Sequence, residues 1–269
     1  MSGRDLVGIF NLIIIAAVLG GISYAALVLR PAEYDRETLC LVGETPPHRV
    51  VIIDKTDIYS ARQAGLIGDL IVAEGAALDV GERLSLFELN EQGRLQNTNR
   101  FSLCNPGSGE QVNPLYRNPD RVQARYDFLF DQPLRTALAD LVRPKEAPNS
   151  PIIEALAMLA QEPGFDRATP RRRAVLVSDM LQNSQVFTVY GRGRGALAQR
   201  VPPARQVAQA IVAAHGNGLY GMELEIRLIP RPNWEVEQRG DLRRYWDSVF
   251  RELGVRVFWT ALPSDQANS

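Results

Sequence analysis

The chain has 269 residues, 45% of them apolar, and a formal net charge of −1. That is length enough for one large domain or two small ones, with a composition ordinary for a globular protein. A balance this close to neutral carries no electrostatic footprint for nucleic acid. Two histidines, His48 and His215, are too few for a multi-histidine metal centre and a poor basis for a histidine-driven triad. By position, at the mouth of a strand and near the end of a helix, they read as solvent-facing or capping residues.

Leu6–Leu29 is apolar almost throughout, interrupted only by Asn11, Ser23 and Tyr24. A run of about 24 residues can span a bilayer with some tilt. A cleaved signal is the competing reading, but such apolar cores are usually about 7–15 residues and follow a clearly basic leader, whereas Arg4 is offset here by Asp5. The expectation is a retained transmembrane helix over 6–29, after a short tail over 1–5. Basic residues nearly tie across the span. We place the tail in the cytoplasm and the bulk of the chain in the periplasm or outside the cell, anchored in the inner (plasma) membrane.

Residues 30–47 read as a connector, stiffened at its end by Pro46–Pro47. Val50–Val51–Ile52–Ile53 is a run of β-branched residues, the pattern of a strand buried on both faces, and it ends in Asp54, Thr56 and Asp57. Helical spacing follows over Ser60–Leu78, then strands at Arg83–Leu89 and Arg100–Cys104, the latter an antiparallel edge. Asp120–Val142 is a helix with Asn118 as N-cap and a kink or break at Pro133. Asn149–Ser150–Pro151–Ile152 is a helix start with Ser150 as N-cap.

Ala174–Asp179 is a second buried strand ending in a carboxylate, preceded by Arg171–Arg172–Arg173, a solvated lead-in. Gly191–Gly195 is an irregular, flexible basic loop. A helix over Pro203–His215, a strand over Met222–Ile229, a helix over Leu242–Leu253 and a strand over Val255–Leu262 complete the order. Strands alternating with helices argue an α/β fold: a doubly wound, mostly parallel sheet with helices on both faces. Two cysteines, Cys40 and Cys104, bridge if the domain lies in an oxidising compartment; two unrelated buried thiols are the alternative.

In such sheets ligands bind beyond the carboxyl ends of the strands. Asp54 and Thr56, Ser150, and Ser178–Asp179 would all lie along that one edge, an oxygen-rich set suited to a hard divalent cation. The arrangement over roughly His48–Pro263 resembles the von Willebrand factor A (vWA) domain. That family's metal-ion-dependent adhesion site combines an Asp-x-Ser-x-Ser motif with a distant Thr and a distant Asp. Asp54 matches the first Asp, Thr56 the first Ser, Ser150 the Thr, and Asp179 the last Asp. Ile58 stands where the second Ser would be and brings no oxygen.

The resemblance implies a vWA-like domain over 48–263, followed by a tail over 264–269. It also implies a magnesium-type ion held by Asp54, Thr56, Ser150 and Asp179, and a role in binding a membrane-associated protein partner. The alternative is a metal-assisted hydrolase working through Asp54, Asp57 and Asp179.

Overall fold

The computed structural model describes residues 3–28, 33–56, 60–90, 94–115, 117–141, 149–190 and 197–263. Asp57, Ile58 and Gly191–Gly195, singled out above, lie outside them. The chain divides into two units, Met1–Tyr34 and Asp35–Ser269. The first contains helix α1 (Gly3–Val28). Ile9, Phe10, Leu12 and Leu19 are among the large apolar side chains that α1 exposes. Among the described residues no helix is long and apolar enough to cross a membrane.

The second unit holds one six-stranded sheet in the order β3-β2-β1-β4-β5-β6. Its strands are β1 (His48–Asp54), β2 (Arg83–Leu89), β3 (Leu95–Cys104), β4 (Arg172–Ser178), β5 (Glu223–Leu228) and β6 (Arg256–Ala261). All neighbours are parallel except β2 and β3, so the antiparallel strand is at the edge, as its sequence implies. β1 is central and wholly buried. Side chains alternate between the faces of a strand, and β1 divides accordingly. Val51 and Ile53 join a core with α2 (Ala61–Ala76) and α4 (Gln132–Leu141), while Val50 and Ile52 join one with α5 (Ile152–Leu159), α7 (Ala204–His215) and α9 (Asp241–Glu252). Three layers result, with helices on both faces of the sheet.

Local chemistry accounts for the helix ends. Ser60 and Gln63 form a reciprocal capping box at α2. Asn118 accepts from the amides of Asp120 and Arg121 and opens α3 (Pro119–Tyr126). The helix expected to kink or divide at Pro133 is interrupted just ahead of it: a π-helical turn over Asp127–Asp131 separates α3 from α4. A widened turn just ahead of a residue with no N–H is one way a helix absorbs the missing bond. Gly75 lets α2 approach α4, since a Cβ there would come within 2.6 Å of Leu134. Two short helices, α6 (Leu197–Arg200) and α8 (Glu235–Arg239), fall below the length at which periodicity can signal them.

The N-terminal edge of the sheet corrects two expectations. Arg172 and Arg173 belong to β4 and do not form a solvated lead-in. Arg172 is buried and donates to the carbonyls of Gly218 (2.7 Å) and Tyr220 (2.6 Å), and Arg173 pairs with Glu225. His48 is not solvent-facing: it is 4% exposed, with Nδ1 at 2.7 Å from the Gly164 carbonyl and Nε2 at 2.8 Å from Ser85 Oγ. A carbonyl only accepts, so Nδ1 carries the proton and Nε2 accepts from Ser85.

Burial, the largest cause, lowers the His48 pKa to about 4, with the Arg83 charge acting in the same direction. The unfolded chain, titrating near 6.5, takes up the proton first. The associated stability is therefore present above about pH 6.5 and lost as pH falls to about 4. Urea unfolding over that window should show a decline of roughly 3 kcal/mol, and His48→Gln should remove most of it.

Candidate functional site

Alternation and register together place Asp54. It follows Val50 and Ile52 on the face that packs α5, and β4 runs parallel beside it with Ile53 opposite Val177. The next pair along is Asp54 and Ser178. Ser178 follows Ala174 and Leu176 on the same face, so the two side chains meet: Ser178 Oγ donates to Asp54 Oδ2 at 2.9 Å. Ser150 Oγ donates to the same oxygen at 3.0 Å. Oδ1 accepts from the Thr56 hydroxyl at 2.6 Å and from its amide at 3.1 Å. Asp54 is 4% exposed. Burial raises its pKa above the usual carboxylate value, against the opposing pull of the bonds from Thr56, Ser178 and Ser150.

Ser150 does not cap α5. Its hydroxyl points to Asp54, and its backbone forms a bridge with Asn183. The capping is done by Gln182, whose Oε1 accepts from the Ile153 amide at 3.2 Å. Lys55 Nζ reaches Glu88 on β2 at 2.8 Å.

The chain then turns sharply after β4. Ser178 Oγ also accepts from the Met180 amide, and Asp179 Oδ1 from the Leu181 amide, each at 2.9 Å. Met180 has φ +62°, a left-handed conformation that costs a side-chain-bearing residue about 1–2 kcal/mol. It is held by burial and by Trp246, whose indole N–H donates to its carbonyl at 3.0 Å. Asp179 Oδ2 accepts from Arg231 Nε at 2.8 Å, and Gln238 bridges the Asp179 and Ile229 carbonyls.

Of the four residues expected to hold a cation, Asp54, Thr56 and Ser150 are in direct contact, and Asp179 is held by an arginine. A divalent cation of this type takes six or more oxygens. Both oxygens of Asp54 already accept two hydrogens each, and Asp179 is neutralised by the guanidinium. Among the described residues no group of three His, Cys, Asp or Glu side chains is arranged to hold a metal. As placed, this donor set does not fit a divalent cation. Arg231 supplies positive charge beside the Asp179 carboxylate.

Arg231→Ala should therefore cost roughly 3 kcal/mol by leaving the Asp179 carboxylate, 1% exposed, without its guanidinium. Mg²⁺ should leave the wild-type melting temperature unchanged. A saturable rise with Mg²⁺ would show that the cluster reopens for a cation.

Ser178 was expected at this edge but not as a partner of Asp54, and Arg231, Gln182 and Gln238 were not foreseen as site residues. The contact of Ser178 with Asp54 could have been found from the sequence, because Ser178 ends a buried strand at the same level as Asp54 and with the same parity. The other three come from loops or short helices with no periodic signal.

No protein-family profile matches the sequence, and no curated protein is significantly similar to it. Solved structures overlap with it at low similarity. Proximal thread matrix protein 1 from the mussel byssus, with a zinc-occupied MIDAS motif, has a TM-score of 0.40 and 12% identity, over 80% of this chain and 44% of that one. The pilus adhesin SpaC from Lactobacillus rhamnosus GG has a TM-score of 0.40 and 10% identity, over 82% and 29%. The manganese-loaded TRAP protein of Plasmodium vivax has a TM-score of 0.34 and 13% identity, over 73% and 63%. At these scores no site or activity is transferred. The chain spans less than half the length of the first two proteins and under two thirds of the third.

Proposed function

We propose that this protein is a membrane-anchored binding module of the vWA-like class. Its globular unit would engage a membrane-associated protein partner at the carboxyl edge of the sheet, and α1 would hold it in the inner (plasma) membrane with the sheet domain outside the cytoplasm. The observation that carries the binding reading is the burial of every hydroxyl in contact with Asp54: Thr56, Ser150 and Ser178 are 2%, 5% and 0% exposed. A nucleophile must reach its substrate, and none of these does. The histidine nearest in sequence, His48, opens β1 while Asp54 closes it, about 20 Å away along the strand. The hydroxyls instead lock Asp54, and Arg231 locks Asp179, which supports reading the edge as a preorganised binding surface.

The exposed apolar side chains of α1 favour a lipid environment, and the Cys40–Cys104 disulfide favours an oxidising compartment. The test uses the full chain extracted from membranes. Wild type should retain a protein partner that Arg231→Glu loses, with no hydrolysis of phosphoesters in Mg²⁺ or Mn²⁺. Metal-dependent turnover abolished by Asp54→Asn would establish the hydrolase instead. N-terminal sequencing that finds the mature chain beginning at Ala25 or later would remove the anchor.

A further inference from the structure

We propose that a cavity at the amino edge of the sheet, opposite the Asp54 cluster, binds a phosphate monoester dianion through Arg167, Arg172 and Thr169. The cavity has a volume of about 270 Å³ and is lined by four arginines (Arg167, Arg171, Arg172 and Arg256) against one carboxylate, Glu223. Two of the arginines are accounted for: Arg256 pairs with Glu223, and Arg171 with Asp79 and Glu82.

Among the described residues the other two have no carboxylate partner within ion-pair distance. Arg172 is 7% exposed and, among the described residues, donates to backbone carbonyls alone, those of Phe165, Gly218 and Tyr220. Arg167 donates to the Asn217 side chain at 3.4 Å and lies over the Tyr220 ring at 5.6 Å. A buried guanidinium without a counter-charge is costly. Burial first, and then the charge of Arg167, push the Arg172 pKa down, with Asp166 opposing. Two like charges set side by side are what an anion would bridge.

A second observation points the same way. Thr169 lines the cavity and is 5% exposed, and its hydroxyl has no hydrogen-bond partner among the described residues. Buried polar atoms are nearly always satisfied, and a bound ion is one of the species that resolves an exception. A phosphate monoester carries about −1.5 to −2 charges at neutral pH, which matches the two uncompensated guanidinium groups. Its oxygens suit both the forked arginine donors and one hydroxyl. The ligand is either a free phosphate species or the monoester headgroup of a phosphatidate lipid. The site shares no residue with the carboxyl edge and does not depend on the function proposed there.

The test uses the full chain in phosphatidylcholine nanodiscs. Inorganic phosphate is titrated against chloride at matched ionic strength, and a second set of nanodiscs contains phosphatidate. Binding is read by calorimetry and by the rise in melting temperature. Arg172 is built into the sheet edge and its replacement could unfold the domain, so the reporting variants are Arg167→Gln, at an exposed position, and Thr169→Val, of nearly equal volume. A saturable response to phosphate, weakened about tenfold in either variant, supports a soluble ligand. The same loss seen only with phosphatidate supports a lipid headgroup. No response to either, or one undiminished in Arg167→Gln, overturns the proposal.

Discussion

Asp54→Ala should destabilise the sheet domain by about 3–4 kcal/mol. The substitution strips one acceptor from four donors at once: the Thr56 hydroxyl and amide, and the hydroxyls of Ser150 and Ser178. A buried donor left without a partner costs roughly 1–3 kcal/mol, and rotation of the hydroxyls to other acceptors recovers part of that. Asp54→Asn should cost much less, because a carboxamide fills the same space and the hydroxyls can turn to accept from it.

The pH behaviour separates the two roles of this carboxylate. Burial raises its folded pKa above the unfolded value of 3.8. The favourable contribution of its proton is therefore complete below the unfolded pKa and lost as pH rises through the folded one. In Asp54→Asn that dependence should vanish while the fold persists. Chemical denaturation of wild type and both variants across the acidic range measures all of this. Equal stability of Asp54→Ala and wild type would mean that the cluster does not hold β1, β4 and the start of α5 together.

Replacing Cys40 and Cys104 together by serine should cost about 4 kcal/mol. The bridge joins Cα atoms 4.9 Å apart across 64 residues of sequence, and closing a loop of that length in the unfolded chain accounts for a loss of this size. For a domain of this length, a melting temperature lower by about 10 °C follows. The local structure would not compensate. Asp35 Oδ1 accepts from the amides of Glu37 and Thr38 and from the Thr38 hydroxyl, a turn that bends the chain toward β3, where the Cys104 amide donates to the Thr38 carbonyl at 2.8 Å. These exposed bonds are individually weak. Leu39 is held at φ +61°, a conformation that needs an external constraint. A loss below about 1 kcal/mol would show that the unfolded chain is already compact across this loop.

Much of the architecture was legible without coordinates because it is encoded locally. The β-branched run Val50–Ile53 announces a buried strand, the Asn118 cap marks a helix start, and glycine at 216 and 254 marks helix ends, both with positive φ. Alternation of strands with helices implies the parallel sheet, and the contact of Asp54 with Thr56 follows from a separation of two residues.

Other features depended on elements distant in sequence. Ser150 has the local pattern of a cap, yet its hydroxyl bonds to Asp54, 96 residues away, because β1 delivers a buried carboxylate there and Gln182 takes over the capping. His48 looks exposed in sequence, but Phe165 packs edge-on against its ring at 5.3 Å and the Gly164 carbonyl fixes its tautomer. Arg231 belongs to an irregular segment after β5, and only the fold brings it to Asp179. Secondary structure follows from neighbours within a turn or a pleat, so its signal is periodic and readable. Charge compensation is settled by whichever groups the finished packing leaves facing one another, and no periodicity records that.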